Sequence, residues 1–272
     1  VFVQTDTDLS DTLTLSLGAR ADRVRLDIDD DLLADGNDSG DQDFTESSYS
    51  AGLNWRYHPR HGVYATVSNA FETPTFTQLA NPSGAGGSNP DLAPQKALNR
   101  EIGGRGQLGD RLFYELALFR VEVRDEITPY ELGGRTFYDN AARTRRDGAE
   151  LMLEHLTTDT LTLTLAYTYS DYQFQRFYDD QQNEDVSGNR LPGLPRHQLF
   201  AEAAWRGVDG LSLIANARYS SDVFAENTNE TEVDDYVVAG LRGGKAWRLN
   251  SGELTLHAGV NNLFNEEYFS NL

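Results

Sequence analysis

Cysteine is absent from this chain of 272 residues, and methionine occurs once. The first absence excludes a disulfide framework and a cysteine-based metal site, while leaving the compartment open. Together the two absences leave little for a soft ion such as copper. Basic residues are scarce: 23 Lys and Arg stand against 43 Asp and Glu, a formal charge of −20. That sign is wrong for nucleic acid, and no such partner is expected. Long apolar runs are missing as well, none reaching the about 18 residues a membrane-spanning helix needs. The start lacks an initiator methionine and a signal-peptide cleavage site, and Val1-Phe2-Val3-Gln4 reads as strand interior. The last residues, Tyr268-Phe269-Ser270-Asn271-Leu272, stop in what reads as a loop, so a piece of a longer polypeptide is expected.

What the chain does have is a rhythm. In 161–170, Leu161, Leu163, Leu165, Tyr167 and Tyr169 alternate with Thr162, Thr164, Ala166, Thr168 and Ser170. A two-residue period gives one apolar and one polar face. The pattern places about twelve strands, roughly at 1–8, 12–26, 48–57, 62–71, 98–107, 111–124, 136–154, 160–172, 196–206, 210–220, 235–247 and 252–263. In 111–124 both faces carry apolar residues and the parity is ambiguous. Connections alternate between short ones (9–11, 58–61, 108–110, 155–159, 207–209, 248–251) and long ones (27–47, 72–97, 125–135, 173–195, 221–234).

That sorting is the mark of an antiparallel transmembrane β-barrel with short periplasmic turns and long extracellular loops. Aromatic residues at strand ends, among them Trp55, Tyr57, Phe71, Trp205, Tyr219 and Trp247, fit an interfacial girdle. A soluble all-β sandwich with aromatic packing is the competing fold.

Three local signals point elsewhere. Residues 35–46 nearly match the EF-hand calcium loop, with Asp35, Asn37, Ser39, Asp41, Asp43 and Glu46 at ligand positions and Gly40 at the turn. Gln42 replaces the usual apolar residue, and the flanks read as strands. The surrounding run, nine carboxylates from Asp27 to Glu46 without a Lys or Arg, also fits a solvated loop. Gly104-Arg105-Gly106-Gln107-Leu108-Gly109 matches a dinucleotide fingerprint, but no helix follows and a turn is expected. His58 and His61 flank Pro59 in a turn, and no serine or acid sits convincingly beside a histidine as a catalytic pair would.

Six segments carry more than alternation. They are Tyr64-Ala65-Thr66-Val67-Ser68-Asn69-Ala70-Phe71-Glu72-Thr73-Pro74, Asn89-Pro90-Asp91-Leu92 with Asn99-Arg100-Glu101-Ile102-Gly103, and 117–127. Asn140-Ala141-Ala142-Arg143 leading to Gly148-Ala149-Glu150-Leu151, Leu191-Pro192-Gly193-Leu194-Pro195-Arg196-His197, and Gly259-Val260-Asn261-Asn262-Leu263-Phe264 complete the set. In order and spacing the whole chain resembles the C-terminal barrel half of TonB-dependent outer-membrane receptors.

The resemblance implies an all-β fold of about 22 strands around a plugged lumen, of which about twelve are here. Residues 1–272 would be a partial barrel domain, with the plug domain and terminal strand outside it. It also implies outer-membrane localisation and active uptake of a ferric siderophore or similar chelate, not catalysis. Expected partners are outer-membrane lipid, the protein's own plug domain, the TonB complex and the chelate. A passive porin-like channel and a small barrel enzyme are the alternatives. Ligand candidates are Phe76, Tyr130, Phe137 and Tyr138 on loops, with Arg143, Arg145 and Arg146 as anchors for an anionic chelate. The same aromatics could serve loop packing, and the arginines an ion-pair network with Asp139 and Asp147. No cofactor is expected beyond a calcium ion in the acidic loop. The histidine on which some of these receptors carry haem has no counterpart between Pro74 and Asn89.

Overall fold

The computed structural model describes residues 1–29, 31, 39–82 and 87–269. Twelve strands form one antiparallel sheet in sequential order. The first six are β1 (Phe2–Ser10), β2 (Leu13–Ile28), β3 (Gly40–His58), β4 (His61–Glu72), β5 (Gln95–Leu108) and β6 (Leu112–Leu132). The others are β7 (Arg135–Leu156), β8 (Leu161–Arg176), β9 (His197–Arg206), β10 (Leu211–Ser220), β11 (Tyr236–Leu249) and β12 (Gly252–Val260). The sheet is open, with no pairing between β1 and β12 among the described residues.

Register decides which face each residue takes, because residues directly opposite in an antiparallel pair share a face. One continuous row runs Leu15, Leu53, Ala65, Ile102, Leu118, Ala149 and Tyr169 across seven strands. The same face continues in a parallel row, with Leu165 paired with Leu153 and Ala201, Ala201 with Ala217, and Ala217 with Ala239. This face is almost wholly Leu, Val, Ile and Ala, as a lipid-facing band requires. The opposite face carries Thr66, Glu101, Phe119, Gly148 and Ser170 in one row. Pairing also settles β6: Leu112, Tyr114, Leu116 and Leu118 face outward, while Phe113, Glu115, Ala117 and Phe119 face inward.

Aromatic residues border the outward band at both ends. Near the short turns Trp55, Tyr57, His61 and Tyr114 stack in sequence, with centroids 5.7, 6.0 and 5.9 Å apart. Near the long connections Tyr167 and Tyr169 lie against His197, whose Nδ1 is 2.8 Å from the Tyr167 hydroxyl. Amphipathic rings belong at such interfaces, where one end of the ring is wet. On the inner face aromatic rings lie over glycines. A Cβ on Gly103 would come within 2.5 Å of Tyr64, and one on Gly148 within 2.2 Å of Phe119.

Two long connections differ from expectation. Residues 125–135 do not form a loop: β6 and β7 continue as a hairpin closed by Gly133-Gly134. Both glycines have positive φ, +62° and +78°, the backbone a two-residue hairpin turn demands. The acidic stretch is not all loop either, since Gly40–Glu46 is the start of β3. Asp43 is neutralised there by Arg23 on the neighbouring strand, a partner that a local reading of charge misses. The glycine-rich segment at 104–109 is strand β5 and a turn at Gly109 (φ +61°).

Candidate functional site

Above the band, described parts of the long connections pack against inward-facing side chains of the strands. The segment 73–94 is anchored by Leu79 and Leu92, which are buried with Phe44 against Val24, Leu26, Ile127 and Tyr138. Asn89 fixes this loop's shape: its amide donates to Leu79 O at 2.8 Å, and its Oδ1 accepts from Asp91 N at 3.1 Å. Asn140 then locks the loop to the barrel. Its Oδ1 accepts from Ala93 N at 2.8 Å, and its Nδ2 donates to Ala93 O at 2.9 Å and Asp125 O at 2.7 Å. Asp125 sits in a β-bulge with φ +55°, so the asparagine satisfies a carbonyl the bulge has unpaired.

A second assembly joins 177–195 to 221–234. Phe174, Phe177, Val186 and Ala142 are its buried core. Asn189 Nδ2 donates to Asn227 O and Thr228 O, at 3.0 and 3.1 Å. Asn229 accepts from Arg190 N at 2.7 Å and returns a bond to Arg190 O at 3.0 Å. Gly193 N donates to Phe224 O at 2.8 Å. Glu226 holds the tip of the second loop by accepting from Glu230 N and Thr231 N, at 2.7 and 2.6 Å. Those amides keep its carboxyl below the ordinary range, the Thr231 amide foremost.

Between the second assembly and the β6–β7 hairpin lies a cleft of about 290 Å³, lined among others by Glu126, Pro129, Phe174, Phe177, Leu191 and Asn227. Glu126 and Asp179 are its charged lining groups. Glu126 accepts from the buried Thr144 hydroxyl and from Arg146 Nη2, the latter at 2.8 Å. The bulge turns Glu126 inward, because one extra residue after Val123 exchanges the inward and outward sets.

The expected ligand residues take several positions. Phe76 is 58% exposed on the 73–94 loop. Tyr130, Phe137 and Tyr138 lie on strands β6 and β7 and not on loops, because of the longer hairpin. Phe137 is buried beneath Arg135, whose guanidinium is 5.4 Å from the ring, and its centroid is 6.1 Å from that of Tyr130. Tyr138 packs against the 73–94 loop core. Burial pushes the Asp139 carboxyl up, with Asp180 adding to it. Burial likewise raises the Tyr130 hydroxyl, with Asp139 and Asp180 contributing.

Strand alternation sends Arg145 and Arg146 to opposite faces. Arg146 points inward to Glu126, and Arg145 outward to Asp147 at 3.1 Å. Arg143 stands opposite Arg176 at a bulge. Of the calcium-loop residues, Asp35 and Asn37 lie outside the described residues, and Ser39 precedes β3. Asp41 and Asp43 share the outward face of β3, Asp43 paired with Arg23, while Glu46 pairs with Lys96 at 2.9 Å.

The inner wall itself is acidic. Glu101, Glu115, Glu150, Glu154 and Glu202 face the lumen from β5, β6, β7 and β9. None of the five is in an ion pair among the described residues; Glu101 accepts from the Tyr64 hydroxyl at 2.5 Å. Sequence reasoning passed over this wall, although the alternation of each strand carries the signal.

An apolar outer band, a polar inner wall, aromatic borders and roofing loops define the wall of a large outer-membrane barrel. The sequence profile described as TonB dependent receptor-like, beta-barrel matches residues 1–263, and the chain belongs to that family of bacterial outer-membrane receptors, which are not enzymes. It is 26% identical over 235 residues to an iron-regulated outer membrane virulence protein of Vibrio cholerae, covering 78% of this chain and 35% of that protein. The catecholate siderophore receptor Fiu of Escherichia coli K12 is 26% identical over 234 residues, covering 81% of this chain and 30% of the receptor. The unliganded ferric citrate transporter FecA superposes with a TM-score of 0.80 at 19% identity, over 98% of this chain and 40% of that one. The copper transporter OprC does so with a TM-score of 0.78 at 19% identity, over 99% and 41%. The chain thus spans about a third of the length of these curated relatives.

Proposed function

We propose that the protein takes up a ferric siderophore or similar metal chelate across the outer membrane, with energy delivered through TonB. The observation that carries this reading is the family match over 1–263, joined to relatives named as siderophore receptors. The roofed lumen supports it. A chelate arriving from outside would meet Phe76, exposed on the loop surface, and the cleft lined by Phe174, Phe177, Glu126 and Asp179. The cleft mixes apolar Phe174, Phe177 and Leu191 with polar Thr128, Gln181 and Asn227, so a bulky chelate would meet apolar and hydrogen-bonding groups together.

The acidic inner wall supports a plug partner. None of the five lumen-facing glutamates makes a salt bridge among the described residues, although Arg105 stands opposite Glu115, and basic side chains of an inserted plug would engage them. The test is uptake of radioiron, presented as a ferric catecholate and as ferric citrate, by cells with and without the receptor gene. Uptake of one chelate that requires both this gene and TonB supports the reading. Gene-dependent uptake that continues without TonB would identify a passive pore.

A further inference from the structure

The cleft beside the β6–β7 hairpin carries a charge that the chain leaves unanswered. Its lining holds two carboxylates, Glu126 and Asp179, and no Lys, Arg or His. None of Arg143, Arg145 and Arg146 borders it. Glu126 is neutralised from the barrel side by Arg146 at 2.8 Å. Asp179 makes no ion pair among the described residues, and Arg190 of the same assembly is paired with Asp222 at 3.2 Å.

Asp179 is nevertheless buried. It stands on a two-residue strand, Tyr178–Asp179, paired with Glu184–Asp185. Alternation exposes Tyr178 and turns Asp179 inward, leaving it 6% exposed. Its Oδ1 accepts from Gln181 N and Gln182 N, at 3.0 and 3.2 Å, and its Oδ2 accepts from Asn227 Nδ2 at 2.8 Å. A carboxylate has about four acceptor positions, so Oδ2 keeps one for a donor from elsewhere. A buried carboxylate without a cation is unfavourable, and an entering cation relieves it.

The rest of the lining sets which cation fits. Phe174 and Phe177, with ring centroids 5.0 Å apart, stand with Leu191 and Leu194 as its apolar part. An apolar stem ending in an ammonium matches both parts, and aromatic rings add attraction for the charge. At about 290 Å³ the cleft lies at the lower limit of pockets that enclose a small ligand, so it has room for one arm of a chelate and not for its metal-bearing body.

We propose that this cleft binds a protonated amine arm of the transported chelate, with Asp179 as counter-ion. The inference rests on the uptake reading above and narrows the cargo to chelates with a cationic arm beside their metal-binding groups.

The test is radioiron uptake by cells making the intact receptor, against matched cells lacking it. Iron is presented as a ferric catecholate and as a ferric hydroxamate, each prepared once with a free primary-amine arm and once with that arm acetylated. At limiting concentration the amine form of the transported chelate is expected to enter about tenfold faster than its acetylated form, the worth of one hydrogen bond to a charged group. Asp179→Asn should bring the two rates together by lowering that of the amine form alone. If that variant does not reach the membrane, Asn227→Lys replaces it: the new ammonium occupies the carboxylate without removing it, and should erase the preference likewise. Equal rates for the two forms in the parent, or an undiminished preference in the variant, overturn the proposal. Gene-dependent uptake of none of the four chelates overturns the uptake reading itself, and this inference with it.

Discussion

Leu165 and Thr164 are neighbours in sequence with opposite surroundings. Leu165 sits mid-band between Leu153 and Ala201, while Thr164 faces the lumen between Glu154 and Glu202. Leu165→Arg should therefore destabilise the barrel by about 2–4 kcal/mol, measured by denaturant titration in lipid vesicles. Thr164→Arg should be tolerated or stabilising, because it brings a cation between two acids. Equal effects would mean that the outward set is misassigned. Gly148 offers a second test. A methyl group there meets the Phe119 ring at 2.2 Å, so Gly148→Ala should cost about 1–3 kcal/mol until the ring moves. In a Phe119→Leu background most of that cost should vanish in the same titration.

At the scale of elements, the strands were legible from sequence wherever alternation is unbroken, as in β8 and β12. They were not legible where pairing overrides local pattern. Pro129 and the bulge at Asp125 break the alternation of β6, which made the upper hairpin read as a loop. Asp41 and Asp43 read as loop acid because Arg23 and Arg25 lie on the neighbouring strand, out of local view. The cleft could not be read either, since it forms from three segments joined by asparagine bonds, and asparagines in loops give no distance. Two expectations belong to these segments. Glu226 has a depressed folded pKa, so its stabilisation is present above the unfolded carboxylate pKa and lost as pH falls through the folded value. Amide shifts of Glu230 and Thr231 in an acid titration should report that release, and Glu226→Gln should abolish it. Asp139 has the opposite sign. Its raised folded pKa makes the hairpin tip most stable below the unfolded pKa, with stability lost as pH rises through the folded value. Asp139→Asn should remove that loss and slow hydrogen exchange around Tyr130 at neutral pH.

For the whole molecule, the twelve strands create two solvents at once, lipid outside and a polar lumen within. Five lumen-facing glutamates make no salt bridge among the described residues. Glu101→Gln with Glu150→Gln should leave the barrel's own thermal midpoint nearly unchanged, because neither residue is in an ion pair within the sheet. The same change should make a plug domain easier to extract with denaturant, read as a lower urea midpoint for plug release. An unchanged midpoint would remove the electrostatic contribution from plug docking.

The Gly133-Gly134 tip stands apart from all of this. A Cβ on either residue would meet no described atom within 4 Å. The space is open, yet both residues hold positive φ, so a side chain at either position would strain the turn while touching nothing. The tip is therefore held to glycine by backbone conformation alone, with no packing to defend, and any variation of the hairpin's outer end is expected in the residues that flank it.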